Sequence, residues 1–437
     1  MSSTKFRHTT VIAVVIANMV GTGVFTSLGF QLLDIQSGFV IVMLWAVGGV
    51  AAVCGALTYA ELGAALPRSG GEYNFLSRIY HPAIGFVSGW VSATIGFAGP
   101  TALAAMTFAA YGTSAWSSDT PLWVEKTLAV GLVALLTVVH GSSRRNSGTL
   151  QVLFTILKVG VIVGFCLAAL LLADAVQPVR FVPSAGDGAL LTSAAFAVSL
   201  IYVSYAYTGW NAATYLSSEL ENPQKTLPGI LLTGTLVVTV LYVSLNFVFL
   251  SVAPIGAMAG QVEVGFIAAQ SAFGEVGGRL TGMVMSLLLV STVSAMTIAG
   301  PRVLQVIGED FKALRFLSRQ NSDGIPSRAI YFQSTLTVIF ILTSSFESVL
   351  VFAGFTLALN SLATVLGVFV LRYRQPDLPR PYRTFLYPLT PLIYLALTGW
   401  TLTFVLLNKP TEGFFGLAII AVGLVFYFIS EKRNRAR

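Results

Sequence analysis

The sequence predicts an all-α membrane protein with twelve transmembrane helices, ten of them arranged as two inverted repeats of five. Its 437 residues are 55% hydrophobic and 10% charged, whereas soluble proteins carry roughly 25% charged residues. The mean hydropathy is +0.80, and apolar segments long enough to cross a bilayer recur along the whole chain. The two halves of the chain have similar lengths, and each begins with an interrupted apolar segment. We therefore predict one transmembrane domain over residues 1–437.

Twelve apolar segments reach the length of about 20 residues that spans a bilayer as a helix. Their predicted limits are 9–33, 37–65, 83–113, 121–140, 149–173, 189–218, 226–252, 276–307, 328–343, 347–371, 384–407 and 411–430. Spans one to five form the first repeat, 9–173, and spans six to ten form the second, 189–371. Because five is odd, the second repeat enters the membrane upside down relative to the first. Residues 384–430 hold two accessory helices.

Basic residues indicate the orientation of these spans, because Lys and Arg concentrate on the cytoplasmic side of membrane proteins. An even number of spans places both termini on one side. With the N-terminus inside, 20 basic residues fall inside and 4 fall outside, namely Lys126, Arg180, Arg279 and Lys409. We predict a multi-pass protein of the inner or plasma membrane with both termini cytoplasmic. The same bias explains the net charge of +7 without any nucleic-acid partner.

The reactive side chains do not suggest an enzyme. Cys54 and Cys166, the only cysteines, lie in apolar segments and imply no disulfide framework and no thiolate metal site. His8, His81 and His140 lie at inner boundaries without acidic partners inside the membrane. We predict no catalytic residues, no metal and no cofactor. A multispan enzyme remains the least favoured alternative, and a channel is disfavoured because no filter-like stretch is present.

Two apolar spans are interrupted at corresponding positions of the two repeats. Gly21 and Gly23 flank Thr22 in the first span, and Gly209 lies among polar and aromatic residues in the sixth. Backbone groups left unpaired in a bilayer cost several kcal/mol each, so a break persists only where it lines a cavity or is buried in protein. Close packing of a neighbouring helix is the alternative. Paired breaks favour a binding site, where free amides face an anion and free carbonyls face a cation.

Several motifs together resemble the amino acid–polyamine–organocation superfamily of transporters, and most closely its bacterial L-amino-acid-transporter-like permeases. The resemblance extends over most of spans one to ten. The motifs are VGTGVF at 20–25, YAELG at 59–63, PRSGGEY at 67–73, AYTGWN at 206–211, ELENPQ at 219–224 and GPRV at 300–303. The resemblance implies the leucine-transporter fold, with helices one and six broken and alternating access around them.

The resemblance also implies which residues bind the substrate. Thr22 and Gly23 match positions whose amides hold the substrate carboxylate, while carbonyls near Met19 and at Tyr205, Ala206 and Thr208 match the ammonium cage. The implied substrate-binding set is Met19, Gly21, Thr22, Gly23, Tyr205, Ala206, Thr208 and Gly209. Tyr205 replaces the Phe or Trp that relatives use as an aromatic lid and gate. Thr208 replaces a glycine, so it either narrows the pocket or bonds back to its own helix.

Lys158 is the one basic residue that we place well inside a span. Charges inside the membrane usually serve a pathway or a relay, and snorkelling to the interface is the alternative. In relatives, a lysine at this position puts its ammonium in the second sodium site of sodium-coupled members. Ser291, Thr292 and Ser294 are the candidate hydroxyl partners from span eight. Because a fixed ammonium and a sodium ion repel each other, we predict sodium-independent transport.

Other polar residues have two interpretations each. Glu61 is either a solvated cap or part of an inner gate with a basic loop residue. Arg302 is either a gate partner or a positive-inside anchor. Asn360 in span ten predicts a hydrogen bond between helices. No acidic residue clearly lines the predicted pocket, which favours small or medium neutral L-amino acids over cationic ones or polyamines.

The predicted function is a secondary amino-acid permease, acting as an exchanger or facilitator. The alternative is a proton-coupled symporter that uses Lys158 as its switching group. Some exchanging relatives are linked to a single-span glycoprotein through an outer cysteine, but segment 114–121 has no cysteine. We therefore predict a monomer without an obligatory glycoprotein partner, which contacts its amino-acid substrate and the lipid bilayer.

Overall fold

The computed structural model describes residues 8–68, 70–116, 120–142, 148–173, 176–220, 222–322 and 324–435. Within these ranges the chain is helical and contains no β-strand. Five of the basic residues that are predicted to lie on the inner side of the membrane fall outside the described residues, namely Lys5, Arg7, Arg144, Arg145 and Arg437. The predicted outer segment 114–121 is described except for residues 117–119.

Seventeen α-helices are present in the described ranges. They are α1 His8–Met19, α2 Gly23–Gln31, α3 Gly38–Ala65, α4 Gly71–Ile79, α5 Pro82–Val91, α6 Ala98–Ser114, α7 Leu122–Ser142, α8 Gly148–Leu172, α9 Asp187–Leu191, α10 Ala194–Tyr207, α11 Pro223–Val252, α12 Ile255–Met258, α13 Val264–Asp310, α14 Ser327–Thr343, α15 Phe346–Arg374, α16 Leu389–Asn408 and α17 Pro410–Arg435. Short 3₁₀ segments cover Ala212–Glu219 and Lys312–Ser318, and a π-helical turn covers Ser92–Gly96.

Nine helical stretches of the described chain are long and apolar enough to cross a membrane, counting α1 with α2 and the run from α5 to α6 as one stretch each. Two shorter apolar helices, Ile156–Leu172 and Ala194–Tyr207, belong to α8 and α10. The chain is therefore a multi-pass membrane protein. Serine side chains cap the N-termini of α3, α10 and α15. Ser37, Ser193 and Ser345 each accept a hydrogen bond from the backbone amide three residues further along the chain, which satisfies one free amide at each helix start.

Three predicted spans differ from the observed helices. Predicted span six divides into α9, α10 and the 3₁₀ segment Ala212–Glu219, because its second half leaves the α-helical path after Tyr207. Predicted span eight matches the part of α13 that follows Gly274, whose non-helical φ of 70° separates it from a further helical part that begins at Val264. Predicted span eleven begins at Leu389 rather than at residue 384.

The helices pack so that the two interrupted spans lie inside the molecule. Both α3 and α1 pack along α11, and α10 contacts α2, α3, α15 and α16. An aromatic cluster of Trp45, Tyr207 and Tyr242 joins α3, α10 and α11, with ring centroids 5.1–6.2 Å apart. Such tilted and edge-on contacts between rings contribute about 0.5–1.5 kcal/mol per pair beyond the buried area. The cluster fixes α11 beside both interruptions.

Candidate functional site

The first break is the three-residue interruption between α1 and α2. Helix α1 ends at Met19 and α2 begins at Gly23. The amide of Gly21 donates to the Met19 carbonyl at 2.8 Å, which closes a tight turn. Within the described residues, the amides of Thr22 and Gly23 donate to no backbone carbonyl. The positive end of α2 therefore presents free donors, as an anion site requires.

The second break follows Tyr207, where α10 ends. Thr208 is extended, with a ψ of 138°, and Gly209 has a φ of 107°. That left-handed conformation favours glycine, because a side chain there would be strained. The chain then continues as the 3₁₀ segment Ala212–Glu219. The sequence prediction of an interruption at these residues is confirmed by the backbone.

The two breaks lie directly against each other. A Cβ placed on Gly23 would lie 2.5 Å from the Cα of Ala206, and one placed on Gly209 would lie 2.8 Å from the carbonyl carbon and oxygen of Asn18. Each break therefore supplies a glycine that lets the other helix approach backbone to backbone. Gly23 and Gly209 therefore lie in the contact between the ends of α1 and α10.

A cavity of about 190 Å³ opens where the breaks meet. The eight residues of the predicted substrate-binding set all line it: Met19, Gly21, Thr22, Gly23, Tyr205, Ala206, Thr208 and Gly209. The structure thus brings the predicted residues together, while binding by them stays a prediction.

Tyr242 on α11 joins the two breaks and was missed by the sequence analysis. Its hydroxyl lies 2.5 Å from the Met19 carbonyl and 3.2 Å from the Ala206 carbonyl. It can therefore donate to the last carbonyl of α1 and to the penultimate carbonyl of α10, groups predicted to hold the substrate ammonium. Only an apolar helical pattern surrounds Tyr242 in the sequence, so no local signal marks it.

Tyr205 and Thr208 take positions that bear on their predicted roles. The Tyr205 hydroxyl lies close to the Thr22 side chain, so the hydroxyl that distinguishes it from Phe faces the first break. Thr208 lines the cavity, and its hydroxyl donates to the Ser204 carbonyl at 3.2 Å. Both interpretations of Thr208 therefore apply, because it narrows the cavity and also bonds back to its own helix.

Lys158 is 7% exposed and donates to the Thr292 hydroxyl at 2.6 Å. Of the three candidate hydroxyl partners, only Thr292 makes this contact with Lys158. The Ser291 hydroxyl donates to Leu288 of its own helix at 2.7 Å. The Ser294 hydroxyl instead pairs with the His140 ring at 2.8 Å, because it faces α7 and not α8.

Glu61 is buried at the end of α3 with 1% exposure, which excludes the solvated-cap interpretation. Arg372 of α15 binds both of its carboxylate oxygens, at 2.8 and 2.7 Å. The amide and hydroxyl of Thr384 donate to it at 2.7 Å each, and Arg380 lies 3.6 Å away. Arg302 is exposed, and its role as a gate residue or as a positive-inside anchor stays a prediction.

Glu72 corrects the prediction that no acidic residue lines the pocket. It is 4% exposed and lines the central cavity. Glu72 lies on α4, which falls between predicted spans two and three and was not predicted as a helix. Gly70 and Gly71 precede Glu72 with φ of 119° and 51°, and a Cβ on Gly71 would lie 2.8 Å from the Tyr215 ring. The double glycine of motif 67–73 thus lets the chain turn tightly against the 3₁₀ segment.

Four side chains donate hydrogen bonds to the Glu72 carboxylate. Tyr59, Ser361 and Asn211 donate to Oε1 at 2.5, 3.0 and 3.2 Å, and Asn360 donates to Oε2. The bond from Asn360 joins α15 to α4, which confirms the predicted hydrogen bond between helices. These donors come from parts of the chain as far apart as α3 and α15, so sequence proximity does not reveal them.

Comparison with known proteins matches nearly the whole chain to one family. The family model described as "Amino acid permease" matches residues 6–433. The b(0,+)-type amino acid transporter 1 of Mus musculus is 27% identical over 429 residues, which cover 96% of this chain and 86% of that protein. The large neutral amino acids transporter small subunit 2 is 30% identical over 447 residues in Oryctolagus cuniculus, covering 95% and 78%. The human protein of that name is 29% identical over 442 residues, covering 95% and 78%.

Proposed function

Because this chain belongs to the amino acid permease family, and so is an amino acid transporter and not an enzyme, we propose that it carries neutral L-amino acids without sodium. The relatives named above are mammalian, whereas the motifs resemble those of bacterial permeases of the same superfamily. The observation that carries the proposal is the meeting of two helix breaks in one cavity. In this proposal, the cavity opens alternately to the two sides of the membrane.

The proposed binding mode uses the main-chain groups of the breaks. The free amides of Thr22 and Gly23 at the start of α2 suit a carboxylate. The carbonyls of Met19 and Ala206, at the ends of α1 and α10, suit an ammonium group. An amino acid carries both charges on one carbon, so a single substrate fits between the opposed helix ends.

Neutral substrates remain our proposal although Glu72 lines the cavity. Its Oε1 already accepts three hydrogen bonds and its Oε2 accepts one from Asn360, so the carboxylate offers little free surface to a cationic side chain. The relatives are named for large neutral amino acids in one case and as b(0,+)-type in the other. A thermal-shift screen of the twenty amino acids tests this step. Binding of arginine without binding of alanine contradicts it.

Sodium independence is proposed from Lys158, whose buried ammonium bonds to Thr292. A sodium ion in the same space would be repelled by this fixed charge. The test is uptake into proteoliposomes that contain purified protein, measured with sodium and with choline outside. We expect equal rates, and faster uptake when the vesicles are preloaded with amino acid. Normal uptake by Lys158→Ala would remove this role for the lysine, and uptake driven only by a pH gradient would favour the proton-coupled alternative.

For the architecture, we propose twelve spans in the leucine-transporter arrangement. The repeats are 9–173 and 189–371, and the accessory helices lie in 384–430. The protein is proposed to lie in the inner or plasma membrane with both termini in the cytoplasm, on the strength of the 20 against 4 distribution of basic residues. Labelling of single cysteines introduced near residues 126 and 409 with a membrane-impermeant reagent tests the orientation.

For partners, we propose that the chain works without a disulfide-linked subunit. Some relatives are named as small subunits, which argues for a partner in those proteins. Here Cys54 is buried in α3 and Cys166 lies half-buried in α8, so both lie inside membrane-spanning helices and away from a soluble partner domain. Electrophoresis of the protein from its native membrane, with and without reductant, tests this. A heavier band that reductant removes contradicts the proposal.

A further inference from the structure

Two buried carboxylates lie near each other in the sequence, yet their surroundings differ in charge. Glu61 is matched by Arg372 at 2.7 Å and Arg380 at 3.6 Å. Within the described residues, Glu72 receives hydrogen bonds from tyrosine, serine and asparagine side chains but forms no ion pair. An ion-paired carboxylate stays ionised, whereas one that is buried among neutral donors lies closer to the balance between its two protonation states.

The partners of Glu72 connect parts of the molecule that are otherwise separate. Tyr59 lies on α3, and Asn360 and Ser361 lie on α15. Asn211 immediately precedes the 3₁₀ segment Ala212–Glu219, and the ring of Tyr215 within that segment lies against Gly71, the residue before Glu72. One carboxylate therefore ties the chain beyond the second break to two long helices and to α4.

We propose that Glu72 is a proton-binding site that fastens the segment Ala212–Glu219 to α3, α4 and α15 when ionised and releases it when protonated. The inference rests on the proposed function, because a release of this segment matters only if the cavity opens beside the second break. The proton is the ligand that fits, since the carboxylate is 4% exposed and already surrounded by donors.

The physical basis is the change in hydrogen bonding on protonation. An ionised carboxylate only accepts, and its charge-assisted bonds are roughly twice as strong as neutral ones. Protonation turns one oxygen into a donor that faces groups which are themselves donors, so the hydrogen bond from Asn211 weakens. Burial raises the pKa of Glu72 above its ordinary value, against the opposing effect of the donors. Ionisation thus falls nearer to neutral pH than for an exposed glutamate.

The other titratable groups around α4 do not supply a fixed positive charge to Glu72. Those that face it or its helix are Tyr59, Tyr215, Tyr394, His81, Arg374 and Asp310. Arg68, which acts on Tyr73 of α4, and Arg78, in the last turn of α4, are both exposed. The three tyrosines are neutral near pH 7. Arg374 donates to the Ile79 carbonyl at the far end of α4 at 3.0 Å, and Asp310 pairs with the Tyr73 hydroxyl at 2.6 Å. His81 caps α5 through the Ala83 amide.

The test compares the wild-type protein with Glu72→Gln, which keeps the shape of the protonated acid but cannot ionise. Asp310→Asn is the control, because it removes a carboxylate from the neighbourhood of α4 without touching this network. Amino-acid exchange is measured with equal pH on both sides of the vesicles. We expect the wild type and the control to exchange about three- to tenfold faster as the pH falls from about 8 to about 5.5. Glu72→Gln should stay at the fast rate throughout.

A second measurement follows the segment itself and does not depend on transport. Hydrogen–deuterium exchange of peptides covering 212–219 is compared between wild type and Glu72→Gln at each pH, so that the intrinsic pH dependence of amide exchange cancels. We expect slower exchange in the wild type at high pH and equal exchange at low pH. If Glu72→Gln does not fold, Asn211→Ala, which removes one tie to the segment, should reduce this difference between pH values.

These outcomes separate the inference from the proposed function. Parallel pH profiles of wild type and Glu72→Gln, or equal protection of 212–219 at every pH, overturn the proposed release of this segment on protonation of Glu72, even if amino acids are exchanged. Loss of arginine binding in Glu72→Gln with an unchanged pH profile also overturns it, because the carboxylate would then serve a substrate cation. If protection of 212–219 depends on the ionisation of Glu72 but the protein exchanges no amino acid, the role of Glu72 as a proton-binding site is supported and the proposed function is rejected.

Discussion

Gly23 lies so close to Ala206 that a methyl group on Gly23 would be 2.5 Å from the Cα and 2.7 Å from the Cβ of Ala206. No rotamer change relieves this overlap, since one of the two atoms belongs to the backbone. We predict that Gly23→Ala forces α2 and α10 apart and abolishes amino-acid uptake. Overpacking of this kind costs about 1–3 kcal/mol of stability, and the melting temperature in detergent measures it.

Gly21→Ala is the matched control for stability in the same break. A Cβ on Gly21 would meet only the Met19 carbonyl oxygen, at 3.9 Å, which is an ordinary contact. We expect its melting temperature to stay close to that of the wild type. If Gly23→Ala is as stable as Gly21→Ala and still transports, the close approach of the two breaks is not needed.

Tyr242→Phe removes the hydroxyl that lies between the Met19 and Ala206 carbonyls. The Met19 carbonyl keeps the Gly21 amide as a donor, so the variant loses hydrogen bonds that contribute about 0.5–1.5 kcal/mol each, and the ends of α1 and α10 lose a shared support. We predict a loss of amino-acid affinity of about 5- to 150-fold, measured by competition against a labelled substrate. Tyr207→Phe is the control, since its hydroxyl donates to the Trp45 carbonyl at 3.1 Å. Higher affinity in Tyr242→Phe would mean that the hydroxyl competes with the substrate ammonium.

The breaks were predictable from the sequence because their cause is local. Glycines beside polar residues weaken an apolar helix at that point, and the structure places the interruptions at Gly21 and Gly209 as predicted. Tyr242 and Glu72 were not predictable in the same way, because their roles come from contacts across the fold. Glu72 and Asn360 are 288 positions apart, and a tyrosine in an apolar helix gives no sign of what its hydroxyl meets.

Spacing along a helix also failed to select the partner of Lys158 from three hydroxyls. Thr292 and Ser294 differ by two positions, about 200° around a helix at 3.6 residues per turn, so they face nearly opposite directions. The sequence did not say which of them faces α8. The structure assigns Thr292 to Lys158 and Ser294 to His140.

This difference gives a paired prediction for the proposed role of Lys158. Thr292→Val keeps the shape of the side chain but removes the hydroxyl that accepts from the ammonium at 2.6 Å, leaving a buried charge with fewer partners. We expect uptake to fall about tenfold, a loss of about 1.4 kcal/mol. Ser294→Ala should keep at least half of the wild-type rate. Equal rates in the two variants would show that the Lys158–Thr292 contact does not matter for transport.

The Glu61 network yields a prediction about stability rather than transport. Glu61→Gln leaves Arg372 and Arg380 without their carboxylate, and breaking a fully buried ion pair costs about 3–5 kcal/mol. Arg372 keeps 24% exposure, so we expect a loss near the lower end of that range. The exposed pair of Arg279 and Glu275, with side chains 53% and 67% exposed, provides the control.

Glu275→Gln should change stability by less than about 1 kcal/mol, because water screens an exposed ion pair. Denaturation of both variants in the same detergent gives the comparison. The pair at Glu61 should also resist salt, since its carboxylate is buried at 1% exposure and screening acts mainly on exposed charges. A Glu61→Gln protein as stable as Glu275→Gln would show that the C-terminal ends of α3 and α15 are held together by apolar packing alone.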